Sequence, residues 1–306
     1  MIKGTSLTKN STIGIIAPAS KEDINNVKEK ITTFSNLGFK VKLGRYIYNR
    51  HSFFAGSDLQ RAKDIQDMFL DKSVQGIVCL RGGYGSVRAL DYIDPNIIIS
   101  NPKILCGFSD ITALLNYFSS FGLITFHGPM INSDFNDKTT FNSFLNVLST
   151  NKANYKYDLN AMDSISIING RSFSGKIVGG NLSVLCSLIG SKYSINTANS
   201  ILLLEDVNEA PYVIDRLLTQ LINNNIILNC SGIIIGYLSN EKNYNKNISK
   251  FFLEKTVIDR LSYFNIPLIL GFPFGHNYPN LTIPIGAYAT FSYDENSLII
   301  NDSFLL

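Results

Sequence analysis

Charge is scarce in this chain. Only 17% of its residues are Asp, Glu, Lys or Arg, against roughly 25% in ordinary globular proteins, and hydrophobic residues make up 45%. That balance excludes the disordered class, which lacks the apolar content to bury a core. Runs of about five or more like charges are also missing, and the net charge of +3 is the small difference between 27 basic and 24 acidic side chains scattered along the sequence. Neither a nucleic-acid nor a membrane-surface footprint is written in it. No apolar run approaches the roughly 18 to 20 residues that span a bilayer. The apolar stretch before Pro18 falls short of the roughly 7 to 15 residues of a signal-peptide core, so a cytoplasmic protein is expected. Cys79, Cys106, Cys186 and Cys230 lie far apart beside aliphatic residues with no C-x-x-C spacing, which argues against zinc or redox frameworks and leaves four buried thiols. The three histidines, His51, His127 and His276, are too dispersed to suggest a catalytic zinc; no metal and no cofactor are expected.

What is present is a chain of 306 residues, enough for about two domains. In its first half, short apolar runs alternate with helical patterns. Thr12 to Ala17, Phe39 to Leu43, Gly76 to Leu80, Lys103 to Cys106 and Leu123 to Phe126 read as strands. Between them Ile24, Val27, Ile31 and Phe34 recur at helical spacing, Ser57 stands as N-cap of a helix through Met68, and Ile111 to Phe118 reads as another helix. Such alternation implies a parallel α/β sheet with ligand sites at the carboxyl ends of its strands. The polar stretch after Asn132, with one short helix around Phe144 to Leu148, sets the expected division: an N-terminal α/β domain over 1–135, a linker over 136–172 and a C-terminal domain over 173–306. In the last, Ile201 to Leu204, Gly232 to Ile235 and Leu268 to Leu270 read as strands and Pro211 to Ile222 as a helix. IPIGAYATFSYDENSLIIND alternates with period two and reads as a hairpin.

Three positions immediately after strands carry candidate chemistry. In Gly107-Phe108-Ser109-Asp110 a serine stands on a strand-to-helix turn, as in a nucleophile elbow, yet Ser and Asp are also ordinary N-caps. Glu205 follows the apolar run ILLL, where a buried carboxylate needs a partner; its neighbour Asp206 has the same claim. His276 lies in the loop FPFGHNYPN, with His127 in FHGPM as its rival and His51 in a polar loop. Nucleophile, acid, base is the order of α/β-hydrolase triads, although unrelated folds use other orders. A fourth feature, Arg81-Gly82-Gly83-Tyr84-Gly85, comes directly after a strand and lacks both Walker and dinucleotide spacing. Its backbone N–H groups suit an anion, either a phosphate or the oxyanion of acyl transfer, and a plain tight turn is the other reading.

RGGYG, NPKILCGFSDITALLNY, GLITFHGPM, GGNLSVLCSLIG, ILLLEDVNEAPYVIDRLLTQL and IPLILGFPFGHNYPNLTIPIGA, in that order, resemble the signature segments of the LD-carboxypeptidase family, serine peptidase family S66. The resemblance runs from about residue 13 to 291. It implies an N-terminal α/β domain with a smaller, strand-rich C-terminal domain, a homodimer, and a nucleophile, orienting acid and base on Ser109, Glu205 and His276. It further implies removal of the terminal D-alanine from murein tetrapeptides during cytoplasmic cell-wall recycling. On that footing the oxyanion is expected on the backbone N–H groups of Asp110 and Gly83, and Arg81 and Tyr84 are expected to meet the small murein peptide. One branch of the family resembles microcin C immunity proteins, which cut a peptide-nucleotide carboxamide; Asn277 after His276, where the murein branch usually has Gly, is a departure from the murein pattern. A third reading, a non-catalytic module cradling a small anion, predicts the same fold without covalent labelling of Ser109.

Overall fold

The short apolar runs at the centre of the first half assemble into a parallel sheet because their side chains are covered on both faces, which requires continuous rather than alternating hydrophobicity. In the computed structural model, which describes residues 1–163, 165–239 and 246–306, the chain forms two compact units. Unit 1 comprises Met1–Lys152, Leu281–Gly286 and Phe304–Leu306. Its elements in chain order are β1 (Thr12–Ile16), α1 (Ile24–Asn36), β2 (Lys40–Leu43), α2 (Asp58–Leu70), β3 (Gly76–Cys79), α3 (Ser86–Ala89), α4 (Pro95–Ser100), β4 (Ile104–Gly107), α5 (Thr112–Ser120), β5 (Thr125–His127) and α6 (Lys138–Leu148). The strands form a six-stranded sheet in the order β2, β1, β3, β4, β5 and finally Ile283–Ile285. The first five are parallel, and Ile283–Ile285 closes the edge antiparallel to β5. The strand order reverses beside β1, with β2 on one side and β3 on the other, and in open α/β sheets the carboxyl ends of the strands at such a switch point are where ligands bind.

Local chemistry fixes these elements. Ser57 accepts from Gln60 N and Gln60 returns the bond to Ser57 N, a capping box that starts α2. On α1 and α6, Phe34 and Phe144 meet edge to face at 5.9 Å, with Phe135 beside both. The segment Phe304–Leu306 docks back on unit 1: Leu306 pairs with Gly4 and Ser6 through the backbone, and Phe304 packs at 6.1 Å from Phe126.

Asp64 on α2 is buried, where its carboxylate accepts from Tyr46 N at 3.0 Å. Burial pushes its carboxyl up to about 6, against the backbone hydrogen bonds of Tyr46 and Arg45. A folded-state value above the unfolded one favours the native state in acid; this contribution is complete below about 3.8 and is lost as the pH rises through about 6. Asp64→Asn, which keeps an acceptor for Tyr46, is therefore expected to flatten the stability profile between those values, as read by urea unfolding at several pH values.

Unit 2 comprises Ala153–Asn280 and Ala287–Ser303. It holds β6 (Tyr155–Asp158), β7 (Ser166–Ile168), β8 (Phe173–Asn181), α7 (Leu182–Leu188), β9 (Ser200–Asp206), α8 (Pro211–Asn223), β10 (Gly232–Leu238), α9 (Lys246–Leu261) and β11 (Leu268–Leu270). With the edge strand Ile283–Ile285 of unit 1 numbered β12, the last two are β13 (Tyr288–Ser292) and β14 (Ser297–Ile300). The eight-stranded sheet runs β6, β14, β13, β8, β9, β10, β11, β7. Its centre, β8 to β11, is parallel. On α8, Ile214, Leu217, Leu218 and Leu221 recur at helical spacing and pack on Leu202, Leu204, Ile233 and Ile235.

Two expectations about boundaries are corrected. The segment 136–172 is not a linker: α6 buries Phe144, Val147 and Leu148 in unit 1, whereas β6 and β7 are edge strands of unit 2, and the units part between Lys152 and Ala153. Nor does all of 173–306 form one domain. The alternating C-terminal segment breaks at Gly286; β13 and β14 form the hairpin, while β12 belongs to unit 1. Among the described residues, no helix is long and apolar enough to cross a membrane.

Candidate active site

In unit 1, β4 ends at Gly107, and Ser109 then adopts φ +62, the left-handed region that costs an L-residue roughly 1–2 kcal/mol. A strained serine between a parallel strand and a helix is the backbone signature of a nucleophile elbow. The N-cap alternative does not hold. Neither Ser109 nor Asp110 caps the helical turn that begins there. Instead the buried Asp110 reaches across to α3, its Oδ2 accepting from Ser86 N at 2.7 Å, while Ser86 Oγ donates to Asp110 O at 2.5 Å. Burial pushes the Asp110 carboxyl up; hydrogen bonds from Ser86 and Gly85 and the attraction of Arg61 oppose that rise.

The RGGYG turn lies against this elbow. A Cβ added at Gly82 would stand 2.9 Å from Ser109 Cβ and 3.4 Å from Asp110 N, so only glycine permits the approach. Tyr84 N donates to Ser20 Oγ at 3.1 Å, which ties the turn to the loop after β1. The Tyr84 ring is half exposed beside Phe53 and Phe54. Arg81 Nη1 donates to Glu22 Oε2 at 3.2 Å and to Lys21 O at 3.4 Å.

In unit 2, Glu205 is fully buried at the end of β9, and its Oε2 accepts from His276 Nδ1 at 2.6 Å. Asp206 has other partners: it accepts from Ser183 N at 2.9 Å, Ser183 Oγ at 2.7 Å and Val207 N at 2.8 Å, and so anchors the start of α7. Of the two acids, Glu205 is the one bonded to the imidazole. Asn181 spans them, donating to Glu205 Oε1 at 3.3 Å and to Asp206 Oδ1 at 3.1 Å. The loop that presents His276 is anchored by Gly275 N donating to the buried Asn280 Oδ1 at 3.0 Å and by Tyr237 N donating to Phe274 O at 3.0 Å. Gly275 has φ +106, and a Cβ there would fall 2.5 Å from Glu205 Oε2. The rival His127 is fully buried in β5, its ring 6.0 Å from Phe108, and His51 is exposed. All four cysteines are buried; burial raises each thiol, Cys186 and Cys230 to about 12. Asn181, Asn280, Ser20 and Arg61 were not legible as site residues in the sequence; Asn181 offered only the signature of a helix cap.

A serine held in this conformation and an imidazole bonded to a buried carboxylate are parts suited to nucleophilic acyl transfer. Known proteins put the chain in that class. Residues 13–128 match the LD-carboxypeptidase N-terminal domain and residues 174–291 the LD-carboxypeptidase C-terminal domain. A probable murein peptide carboxypeptidase of Bacillus subtilis is 34% identical over 305 residues, spanning 97% of this chain and 94% of the relative. The microcin C7 self-immunity protein MccF of Escherichia coli is 27% identical over 331 residues, spanning 98% and 95%. A muramoyltetrapeptide carboxypeptidase structure from Oxalobacter formigenes superposes with a TM-score of 0.80 at 28% identity, covering 95% of this chain and 99% of that one. The chain belongs to the LD-carboxypeptidase family and is a hydrolase of the serine peptidase class. The non-catalytic reading is thereby set aside.

Proposed function

We propose that this protein is a serine-type LD-carboxypeptidase that removes the terminal D-alanine from murein tetrapeptides in cell-wall recycling, acting in the cytoplasm as a homodimer. The observation that carries this reading is the left-handed Ser109 at the end of β4. In the mechanism, Ser109 Oγ attacks the carbonyl carbon of the residue preceding D-alanine while His276 Nε2 takes the hydroxyl proton. Glu205 holds Nδ1–H and so keeps Nε2 free to act as base. The N–H groups of Asp110 and Gly83 receive the oxyanion. Collapse breaks the C–N bond, His276 passes its proton to the departing amine, and the acyl group stays on Ser109. Water, deprotonated by His276, then attacks the ester; His276 returns that proton to Ser109 Oγ as the acyl–oxygen bond breaks, which frees the tripeptide and regenerates the serine. Arg81, already oriented by Glu22, meets the substrate carboxylate, with Tyr84 beside it.

The likeness to the Bacillus subtilis relative supports a murein peptide as substrate. The likeness to MccF supports a second reading, cleavage of a peptide-nucleotide carboxamide by the same three residues. Incubation with murein tri-, tetra- and pentapeptides and with a processed peptide-adenylate, followed by mass spectrometry, separates them. Release of D-alanine from the tetrapeptide is expected. Cleavage of the peptide-adenylate with the tetrapeptide left intact would transfer the assignment to the second reading.

Turnover is also expected to survive EDTA. Among the described residues no group of three or more His, Cys, Asp or Glu side chains is placed to share an ion, whereas a catalytic zinc takes about three such ligands. Loss on chelation that zinc restores would contradict the serine mechanism as written.

A further inference from the structure

Arg61 is almost wholly buried on α2, an unusual position for a guanidinium, and one of its contacts leads to the elbow. Its Nη1 donates to Pro18 O at 2.6 Å and to Gly85 O at 2.6 Å. Those carbonyls lie in the loops after β1 and β3, at the carboxyl ends of their strands, beyond the last ladder bonds. Nη2 pairs with Asp58, and the guanidinium carbon stands 4.9 Å from the Phe54 ring centroid. Gly85 has φ +122, a backbone that L side chains rarely adopt, and a Cβ there would fall 2.6 Å from the Phe54 ring and 3.0 Å from Nη1, so glycine suits this turn.

The peptide linking Gly85 to Ser86 is gripped at both ends. Its carbonyl accepts from Arg61, and its N–H donates to the Asp110 carboxylate. A peptide unit is planar, so fixing its oxygen and its nitrogen fixes the whole plate. A cation on the oxygen and a carboxylate on the N–H polarise that plate in the same sense and strengthen both bonds. Asp110 is the next residue after the nucleophile, and Gly82 touches Ser109; a shift of the plate therefore moves the backbone that borders both. An apolar side chain would fill the space of Arg61 and tie nothing.

We infer that Arg61 is a positioning residue for acyl transfer, clamping the RGGYG turn against Ser109 through the Gly85–Ser86 peptide. The inference rests on Ser109 being the nucleophile. It requires Arg61 to act on kcat rather than on substrate affinity, because the clamp shapes the oxyanion side of the elbow and touches no substrate. Displacement of such a frame by about an ångström lowers turnover by around 10²-fold.

The test compares wild type, Arg61→Ala and Arg61→Lys on one murein tetrapeptide, below the unfolding temperature of each. It adds methylguanidinium, or NaCl at equal ionic strength, and uses Ser109→Ala as a control. Expected for Arg61→Ala is a fall in kcat of about 10²-fold with KM within about threefold, partly restored by methylguanidinium and not by NaCl. Arg61→Lys, a point charge that cannot reproduce the planar fork, should fall at least about tenfold in kcat. If Arg61→Ala does not fold, Arg61→Lys decides by its own kcat. A folded variant with kcat within about threefold of wild type, or a loss that tracks only the unfolded fraction, overturns the clamp. Turnover retained by Ser109→Ala overturns the nucleophile and the clamp together, and so identifies the deeper failure.

Discussion

Ser109→Ala is expected to lower kcat by 10³-fold or more, the order of loss for a member of a catalytic triad. Thermal unfolding should move little. Alanine retains the Cβ that makes φ +62 costly, so strain is neither added nor relieved, and the lost hydroxyl belongs to a half-buried turn. The comparison needs both readouts, kcat on a tetrapeptide and the Tm by calorimetry. A variant that turns over at near wild-type rate removes Ser109 from the chemistry, and one that loses both activity and Tm argues for a structural role.

The second large effect is expected at Glu205. With Asn181 donating to Oε1, Glu205→Gln keeps its carbonyl oxygen toward Asn181 and turns an NH₂ toward His276 Nδ1. Nδ1 must then accept, the proton moves to Nε2, and the base is lost. The equivalent change in serine proteases costs about 10⁴ in kcat. Glu205→Asp withdraws the carboxylate by one methylene and should lose less, since water can bridge the gap. Asp206→Asn should behave differently, because Asp206 serves the start of α7: stability should fall by about 1–3 kcal/mol with kcat little changed. Near-normal turnover by Glu205→Gln, or a crippled Asp206→Asn of normal stability, would reverse the assignment of the two acids.

Much of this was legible because buried parallel strands announce themselves. IGII, GIVC, ILC and ILLL are continuous apolar runs within their strands, and the residues just beyond each run lie at or near the carboxyl end of its strand. The same property hid the choice between Glu205 and Asp206. Every residue of β9 is buried, so no period of two distinguishes its faces. Polar composition misled at 136–172, where α6 buries Thr140 and Ser143 beside Phe144 and the edge strand YKYD is mostly solvated. Helices α3 and α4, of 4 and 6 residues, are too short for periodicity to register. Arg61 escaped notice because an arginine on an amphipathic helix ordinarily faces water, and only the loops that converge on it show otherwise.

The return of residues 281–286 and 304–306 to unit 1 sets a timetable for synthesis. When Lys152 has left the ribosome, β5 still lacks its neighbour Ile283–Ile285, and Phe126 still lacks Phe304. At roughly 5 to 20 residues per second, the ribosome needs on the order of ten seconds to travel from Lys152 to Leu281. Throughout that interval the nascent α/β sheet carries an open strand edge, the form of backbone that other chains pair with most readily. Unit 2, although encoded later, receives its last strand at Ile300 and can close before residues 304–306 of unit 1 have emerged.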